Sequence, residues 1–298
     1  MSGFDDEWLA LREPVDERSR DVALADALAE HLRTVSSDTP DVPLRILDLG
    51  SGTGSNFRCL APRLGPHQAW TLIDNDTALL ERVPLRLGRW AEARRLEVRD
   101  EADRLSVRGA AFAASVDRRR HDLARELDAL LFADHDLVTG SALLDLAGAA
   151  WLDALAARCA AATCAVHLVL SYDGRVGWSS EVEDDAAVAE RFDAHQRQDK
   201  GLGTALGPDA AARFAASLRG HGFAVSTAAS DWRLGAADAG LQRALASGFA
   251  AAAREIDPAF ARRADAWLAR RHELIDRDRS GLLVGHLDVL ALPGPDTA

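Results

Sequence analysis

The stretch Arg45-Ile46-Leu47-Asp48-Leu49-Gly50-Ser51-Gly52-Thr53-Gly54 constrains everything else in this chain. An apolar run ends in an acid, and three glycines follow at alternate positions. Glycine has no Cβ, so such a turn can take positive φ and let a ligand approach the main chain. The pattern describes a buried strand turning sharply into a helix beside a binding space.

Strand and helix patterns alternate on the C-terminal side of this turn. Strands are expected at Leu44–Leu49, Ala69–Ile73, a third ending near His121-Asp122, Asp136–Thr139, Ala165–Leu170, Gly222–Thr227 and Leu282–Leu292. Apolar spacing predicts helices over about 56–64, 77–90, 124–132, 141–159, 186–198 and 208–220. Two Ala-rich helices broken at Asp257-Pro258 are expected within 236–275. Such alternation predicts an α/β fold with a doubly wound, mostly parallel sheet.

Residues 1–40 read as an N-terminal helical arm or cap: Trp8, Leu9, Leu11 and Pro14 come first, then a helix over 15–34, then the loop SSDTPDVP. Residues 41–298 read as one domain with additions. Alternating Leu96, Val98, Leu105 and Val107 predict a β-hairpin insertion at about 95–115. Tyr172-Asp173-Gly174 is expected to turn out of the fifth strand into a polar segment, 175–207, with no strand signal, so that about 172–207 forms the substrate side. A helical insertion is expected at about 236–278.

Composition excludes several functions. The net charge is −12, and Arg118-Arg119-Arg120, the densest basic run, suits a solvated strand edge, so no nucleic-acid partner is expected. No stretch reaches the ~20 apolar residues of a membrane span. Three cysteines without a disulfide framework suit a reducing, cytoplasmic compartment. Cys159 and Cys164 lack His or Cys partners at ligand spacing, so they read as core residues and no metal site is expected. Some residue types almost vanish: Lys200 and Tyr172 are the sole Lys and Tyr, and Asn56 and Asn75 the sole Asn. Both Asn fall beside the glycine turn or the next strand end.

A dinucleotide fingerprint starting at Gly50 would place its third glycine at Ser55, and no Lys lies near enough for a phosphate loop. The observed Asp48-x-Gly50-x-Gly52-x-Gly54 instead resembles the first motif of class I S-adenosylmethionine-dependent methyltransferases. That resemblance implies that Asp48, Gly50, Ser51, Gly52, Gly54 and Asn56 surround the amino acid end of the cofactor. Asp74, with Asn75, ends the second strand, where an acid can accept from both ribose hydroxyls. Asp122 would face the adenine amino group, and a helix N-cap accounts for it equally simply. Thr139, Gly140 and Ser141 match the fourth motif, beside the methyl group. The resemblance also implies a seven-stranded sheet whose last strand runs antiparallel between the fifth and sixth. It covers Leu44–Leu292 in architecture, but its specific motifs are confined to 46–54, 74, 122 and 136–141. The helical stretch before the last strand departs from it.

Ligands of such sheets lie beyond the carboxyl ends of the strands. Tyr172 and Asp173 therefore belong to the cleft, Tyr172 as a candidate catalytic group and Asp173 with Trp178, Arg197, Lys200 and Trp232 as candidates for the acceptor wall. Trp232 also suits ordinary packing, and His286 reads as a core histidine. In a helix His195 and Asp199 share a face and could act as a base and its orienting acid; an exposed ion pair has the same spacing. Lys200 or Arg197 could hold an anionic substrate. The expected activity is methyl transfer to a small-molecule acceptor at O, N or C, with S-adenosylhomocysteine as co-product. GSAL stands where some N-methyltransferases carry Asn-Pro-Pro-Tyr. An NAD(P)-dependent oxidoreductase and a non-catalytic S-adenosylmethionine-binding protein are the alternatives. The oligomeric state is open.

Overall fold

The computed structural model describes residues 6–37, 42–101 and 104–294. The first five residues of the arm, the middle of the SSDTPDVP loop and the hairpin tip at 102–103 lie outside them.

The arm is two helices, α1 (Asp6–Ser19) and α2 (Val22–Ser37), broken at Arg20-Asp21. The single helix expected over 15–34 is thus divided, because the Asp21 carboxylate accepts from the Leu24 amide and caps a new start. The sheet then begins with β1 (Leu44–Leu49), α3 (Ser55–Leu60), β2 (His67–Asp74) and α4 (Thr77–Arg94). A hairpin, β3 (Glu97–Glu101) and β4 (Arg104–Arg108), precedes β5 (Ala113–Arg120). The chain continues through β6 (Leu137–Ser141), α5 (Ala149–Ala162), β7 (Ala165–Trp178), α6 (Asp185–Gln196), α7 (Ala210–Gly220) and β8 (Ala224–Ala229). It closes with β9 (Trp232–Leu234), α8 (Ala239–Ile256), α9 (Ala261–Asp276) and β10 (Leu282–Leu292).

The sheet order is β3-β4-β5-β2-β1-β6-β7-β10-β8, with β9 also on β10. Strands β5, β2, β1, β6 and β7 are parallel neighbours. β10 runs antiparallel between β7 and β8. This is the doubly wound, mostly parallel sheet with a reversed last strand that the sequence led us to expect. The hairpin extends one edge.

Further expectations fail. The helix expected over 141–159 begins only at Ala149, after a 3-10 turn at Leu144–Leu146, because β6 ends in the left-handed Ala142 and the chain pairs Ala147 and Gly148 with Leu202 and Ala205. The helix placed at 124–132 is replaced by 3-10 turns at Leu127–Ala129 and Phe132–Asp134. Here the Asp122 and Glu126 side chains take the Ala124 and Asp122 amides, and such local bonds compete with a helix. The fifth strand does not end at Leu170. β7 runs on through Tyr172, Asp173 and Gly174 to Trp178, paired with the first half of β10.

Apolar side chains fall into three clusters. One packs α5 and α7 on one face of the sheet, and a second packs α2, α3 and α4 on the other. The third lies where β7 and β10 overrun the neighbouring strands. It gathers Val15 of α1, Tyr172, Val188 of α6, Trp232 of β9, Phe249 of α8 and Trp267 of α9. The helical additions therefore form a cap, and α1 belongs to it. No described helix is long and apolar enough to cross a membrane. No group of three or more metal-ligating side chains occurs among the described residues.

Candidate functional site

All three glycines of the turn are left-handed, with φ of 60° at Gly50, 53° at Gly52 and 80° at Gly54. The turn is closed by Gly54 N–H donating to Ser51 O at 2.9 Å, and it is tied to the next strand by Ser51 N–H donating to Ile73 O at 2.9 Å. Asp74 completes the link: one carboxylate oxygen accepts from Gly52 N–H at 2.8 Å, the other from Asp76 N–H at 2.9 Å. Each oxygen keeps a lone pair. Burial raises the Asp74 pKa, and those amide bonds oppose the rise.

Beneath the turn is a chain of buried polar groups. Asn56 Nδ2 donates to Asp48 Oδ1 at 2.7 Å and to Thr139 Oγ1 at 3.0 Å. Thr139 in turn donates to His167 O at 2.7 Å. Arg20, at the break between α1 and α2, donates to Asn56 Oδ1 at 2.5 Å and to Ser141 Oγ at 3.3 Å. Asp48 is wholly buried, and burial pushes its pKa up to about 7; the Asn56 hydrogen bond and the Arg20 charge restrain the rise. Three buried atoms of this cluster have no hydrogen-bond partner: Asp48 Oδ2, Arg20 Nε and Ser51 Oγ. His167 is buried with both ring nitrogens unpartnered, and burial holds it neutral, with a pKa of about 3.

Gly140 sets the spacing of the two central strands. A Cβ there would lie 2.9 Å from Leu49 O, so glycine is what lets β6 approach β1. Just beyond it Ala142 is left-handed, at φ 54°, as is Leu170 on β7, at φ 57°. Side chains in this region cost about 1–2 kcal/mol each. Both are held by neighbours: Ala142 N–H donates to Val169 O, and Leu170 N–H to Asp288 Oδ1 at 2.7 Å. Asp288 also accepts from Ser230 Oγ and from Asp21 N–H, joining β7, the β8–β9 turn and the α1–α2 break.

α1 lies over the glycine turn. A Cβ on Gly52 would meet Leu9 Cδ1 at 3.2 Å. Glu13 pairs with Arg58, whose other nitrogen donates to Thr53 O. Arg12 donates to Asp16 at 2.8 Å and stands over the Trp232 ring, while Trp232 Nε1 donates to Asp16 at 3.0 Å. Trp232 is buried and fastens the arm to β9.

The remaining candidates are scattered. Asp122 accepts from the Ala124 amide and caps a turn. Asn75 is exposed at the end of β2. Tyr172 donates its hydroxyl to Asp193 at 2.7 Å, and its ring meets Phe192 and His286 edge-on. Burial first, then Asp193, raises the phenol's pKa. Asp173 is bound to Arg175, which also bridges to Asp231. Trp178 packs on Trp267 beneath Arg271, inside the helical cap. Arg197 pairs with Asp209 and with Leu206 O.

His195 and Asp199 do not pair. α6 ends at Gln196, so Asp199 lies past the helix and accepts from Gly201 N–H at 2.7 Å. His195 instead faces Glu255 of α8 at 3.5 Å and Lys200 at 3.3 Å. Burial lowers the Lys200 pKa.

Sequence reasoning missed Arg20, Arg12 and Asp145. Arg20 is signalled by the helix break that Asp21 caps. Asp145 is an acid in the apolar run Leu143-Leu144-Asp145-Leu146. It is buried, its Oδ1 has no partner, and burial lifts its pKa to about 6 against the pull of Arg12.

No family model matches this chain, and no curated protein matches it. Solved structures do. A SAM-dependent methyltransferase from Thiobacillus denitrificans in complex with S-adenosyl-L-homocysteine is 16% identical, with 97% of this chain and 99% of that chain covered and a TM-score of 0.44. A cyclopropane-fatty-acyl-phospholipid synthase-like protein from Lactobacillus casei is 13% identical, with 97% and 95% covered and a TM-score of 0.46. A putative sarcosine dimethylglycine methyltransferase from Galdieria sulphuraria is 12% identical, with 94% and 91% covered and a TM-score of 0.41. Likeness this distant assigns neither a family nor a chemistry, and the functional reading rests on the residues themselves.

Proposed function

We propose that this chain is an S-adenosylmethionine-dependent methyltransferase acting on a small molecule. One observation supports this above others. Beside the glycine turn stand an unpartnered carboxylate oxygen, Asp48 Oδ2, and two unpartnered donors, Arg20 Nε and Ser51 Oγ. Unmet buried polar atoms are costly, and these complement an α-amino acid, whose ammonium suits the first and whose carboxylate suits the other two. A dinucleotide would bring a pyrophosphate to this turn, and the Asp48 carboxylate would repel it.

In this reading Asp48, Arg20, Ser51 and the backbone of Gly50–Gly54 hold the amino acid end. Asp74 accepts from the ribose hydroxyls, with Asn75 beside it, and Asp122 accepts from the adenine amino group. Asn56 and Thr139 hold Asp48 in place, and Gly140 and Ser141 form the end of β6 beside the reacting centre. When bound, the cofactor supplies a methyl group on an electrophilic sulfonium, so the protein's work is chiefly to position and desolvate. Leu9 and Leu143 do the latter, since each reaches within van der Waals range of a Cβ placed on Gly52 or Gly50. The acceptor would sit toward Tyr172 at the far side of β6.

Calorimetric titration with S-adenosylhomocysteine and with NADH separates the readings; binding of NADH alone would sink this one. Asp74→Ala is expected to weaken S-adenosylhomocysteine about 10- to 100-fold, the worth of a charge-assisted hydrogen bond. It should also cost about 1 kcal/mol of stability, because the Gly52 and Asp76 amides lose their acceptor. Unchanged affinity would count against the ribose role.

A further inference from the structure

Asp145 has no task in the cofactor site, yet it is only 6% exposed and its Oδ1 meets no hydrogen-bond donor. An ionisable group left so is expensive unless a ligand completes it. Its position is informative. It follows Leu143, which packs within reach of Gly50, and the left-handed Ala142 that ends β6. Its carboxylate accepts from its own amide and from the Tyr172 amide of β7, which leaves Oδ1 as the open acceptor, and Arg12 of α1 is near enough to act on its charge.

The cation near it is engaged elsewhere, and Tyr172, whose amide it binds, opens onto a buried aromatic cluster. Arg12 spends hydrogen bonds of 2.8 and 3.3 Å on Asp16 and lies over Trp232. Trp232 stands 4.7 Å from His286, which burial keeps neutral, with a pKa of about 3, and His286 meets Tyr172 edge-on. Tyr172 gives its hydroxyl to Asp193. A buried carboxylate with one oxygen short of a donor is the chemistry that recognises an ammonium group through a charge-assisted hydrogen bond.

We propose that Asp145 is the anchor for the acceptor, and that the acceptor is a small amine whose nitrogen it holds. The inference rests on the methyltransferase reading for the word acceptor, but the binding site can be tested without it. Three probes on one carbon frame decide the matter by calorimetry: 2-phenylethylamine, 2-phenylethanol and phenylacetate, each titrated with and without S-adenosylhomocysteine.

The amine is expected to bind at least tenfold tighter than the alcohol, with phenylacetate weakest. Asp145→Asn, which keeps shape and removes charge, should erase that preference while leaving S-adenosylhomocysteine affinity unchanged. Equal binding of amine and alcohol, no binding of the amine at millimolar concentration, or a preference that survives Asp145→Asn would each overturn the proposal. The wild-type probe series decides it even if the variant folds poorly. Loss of S-adenosylhomocysteine binding in the wild type would instead strike the cofactor reading and leave the amine preference to be judged alone.

Discussion

Asp48→Asn is expected to abolish useful cofactor binding and to stabilise the empty protein at the same time. The side chain is wholly buried, and burial has lifted its pKa to about 7. Below pH 4 the carboxyl is protonated in the folded and unfolded chain alike and contributes no pH dependence. Between pH 4 and pH 7 the folded chain keeps a proton that the unfolded chain releases, so stability falls as pH rises. Above pH 7 the full cost is present, on the order of 4 kcal/mol.

Asparagine removes that term but leaves an amide unpartnered and deprives Arg20 of a nearby negative charge. A net gain of about 2 kcal/mol at pH 8, fading toward pH 4, is therefore expected in urea unfolding. Calorimetry at pH 8 should show S-adenosylhomocysteine weakened about 30-fold or more, since a neutral amide cannot replace a carboxylate facing an ammonium. In the wild type, affinity should rise from pH 6 to pH 8 as Asp48 ionises. Cofactor affinity within threefold of wild type in the variant would remove Asp48 from the binding site.

Arg271→Ala should be the most damaging single change outside the sheet. The Arg271 side chain is fully buried in α9. It pairs with Asp185 at the start of α6, donates to Ser180 O at 2.7 Å, and stacks on Trp178 and Trp267. Truncation would leave Asp185 with only the Trp267 indole and the Val182 amide, and would open a cavity between two Trp rings. Breaking a buried pair in this way costs about 3–5 kcal/mol; the lower end applies here because Asp185 retains some solvent. Hydrogen exchange should accelerate in α6, α8 and α9, with the β1–β2 core protected. Arg271→Met, which keeps the volume between the rings, should recover part of the loss. Uniform destabilisation of the whole sheet would show that the cap is not a separate unit.

Most of the parallel strands were legible as short apolar runs between turn residues, β5 only by the alternation of Phe112, Ala114 and Val116, and the glycine turn names the end of one of them. β10 was read from Leu282 to Leu292 without error, since the stretch is rich in Leu and Val despite Gly285, His286 and Asp288 and ends before a proline. The overrun of β7 was not read. Gly174 looks like a stop, yet Val176 and Trp178 keep the two-residue period that pairing with β10 requires. The His195–Asp199 pair failed because a four-residue spacing means one face only while the helix lasts. Contacts across great sequence distance were beyond reach. Nothing near Trp232 announces a bond to Asp16, 216 residues earlier. Arg20 belongs to the same class, being aimed at Asn56 and Ser141 by a helix break.

The shared core of α1 and the helical cap has a kinetic consequence. Leu9 covers Gly52, Glu13 is clamped to Arg58, and Val15 is packed with Tyr172 and Trp232. A molecule resting on Gly52 would therefore be covered by an arm that is held by an ion pair and a hydrophobic anchor together. If the arm must open first, its opening rate sets an upper limit on release, so even a weakly held molecule is expected to leave no faster than the arm peels away.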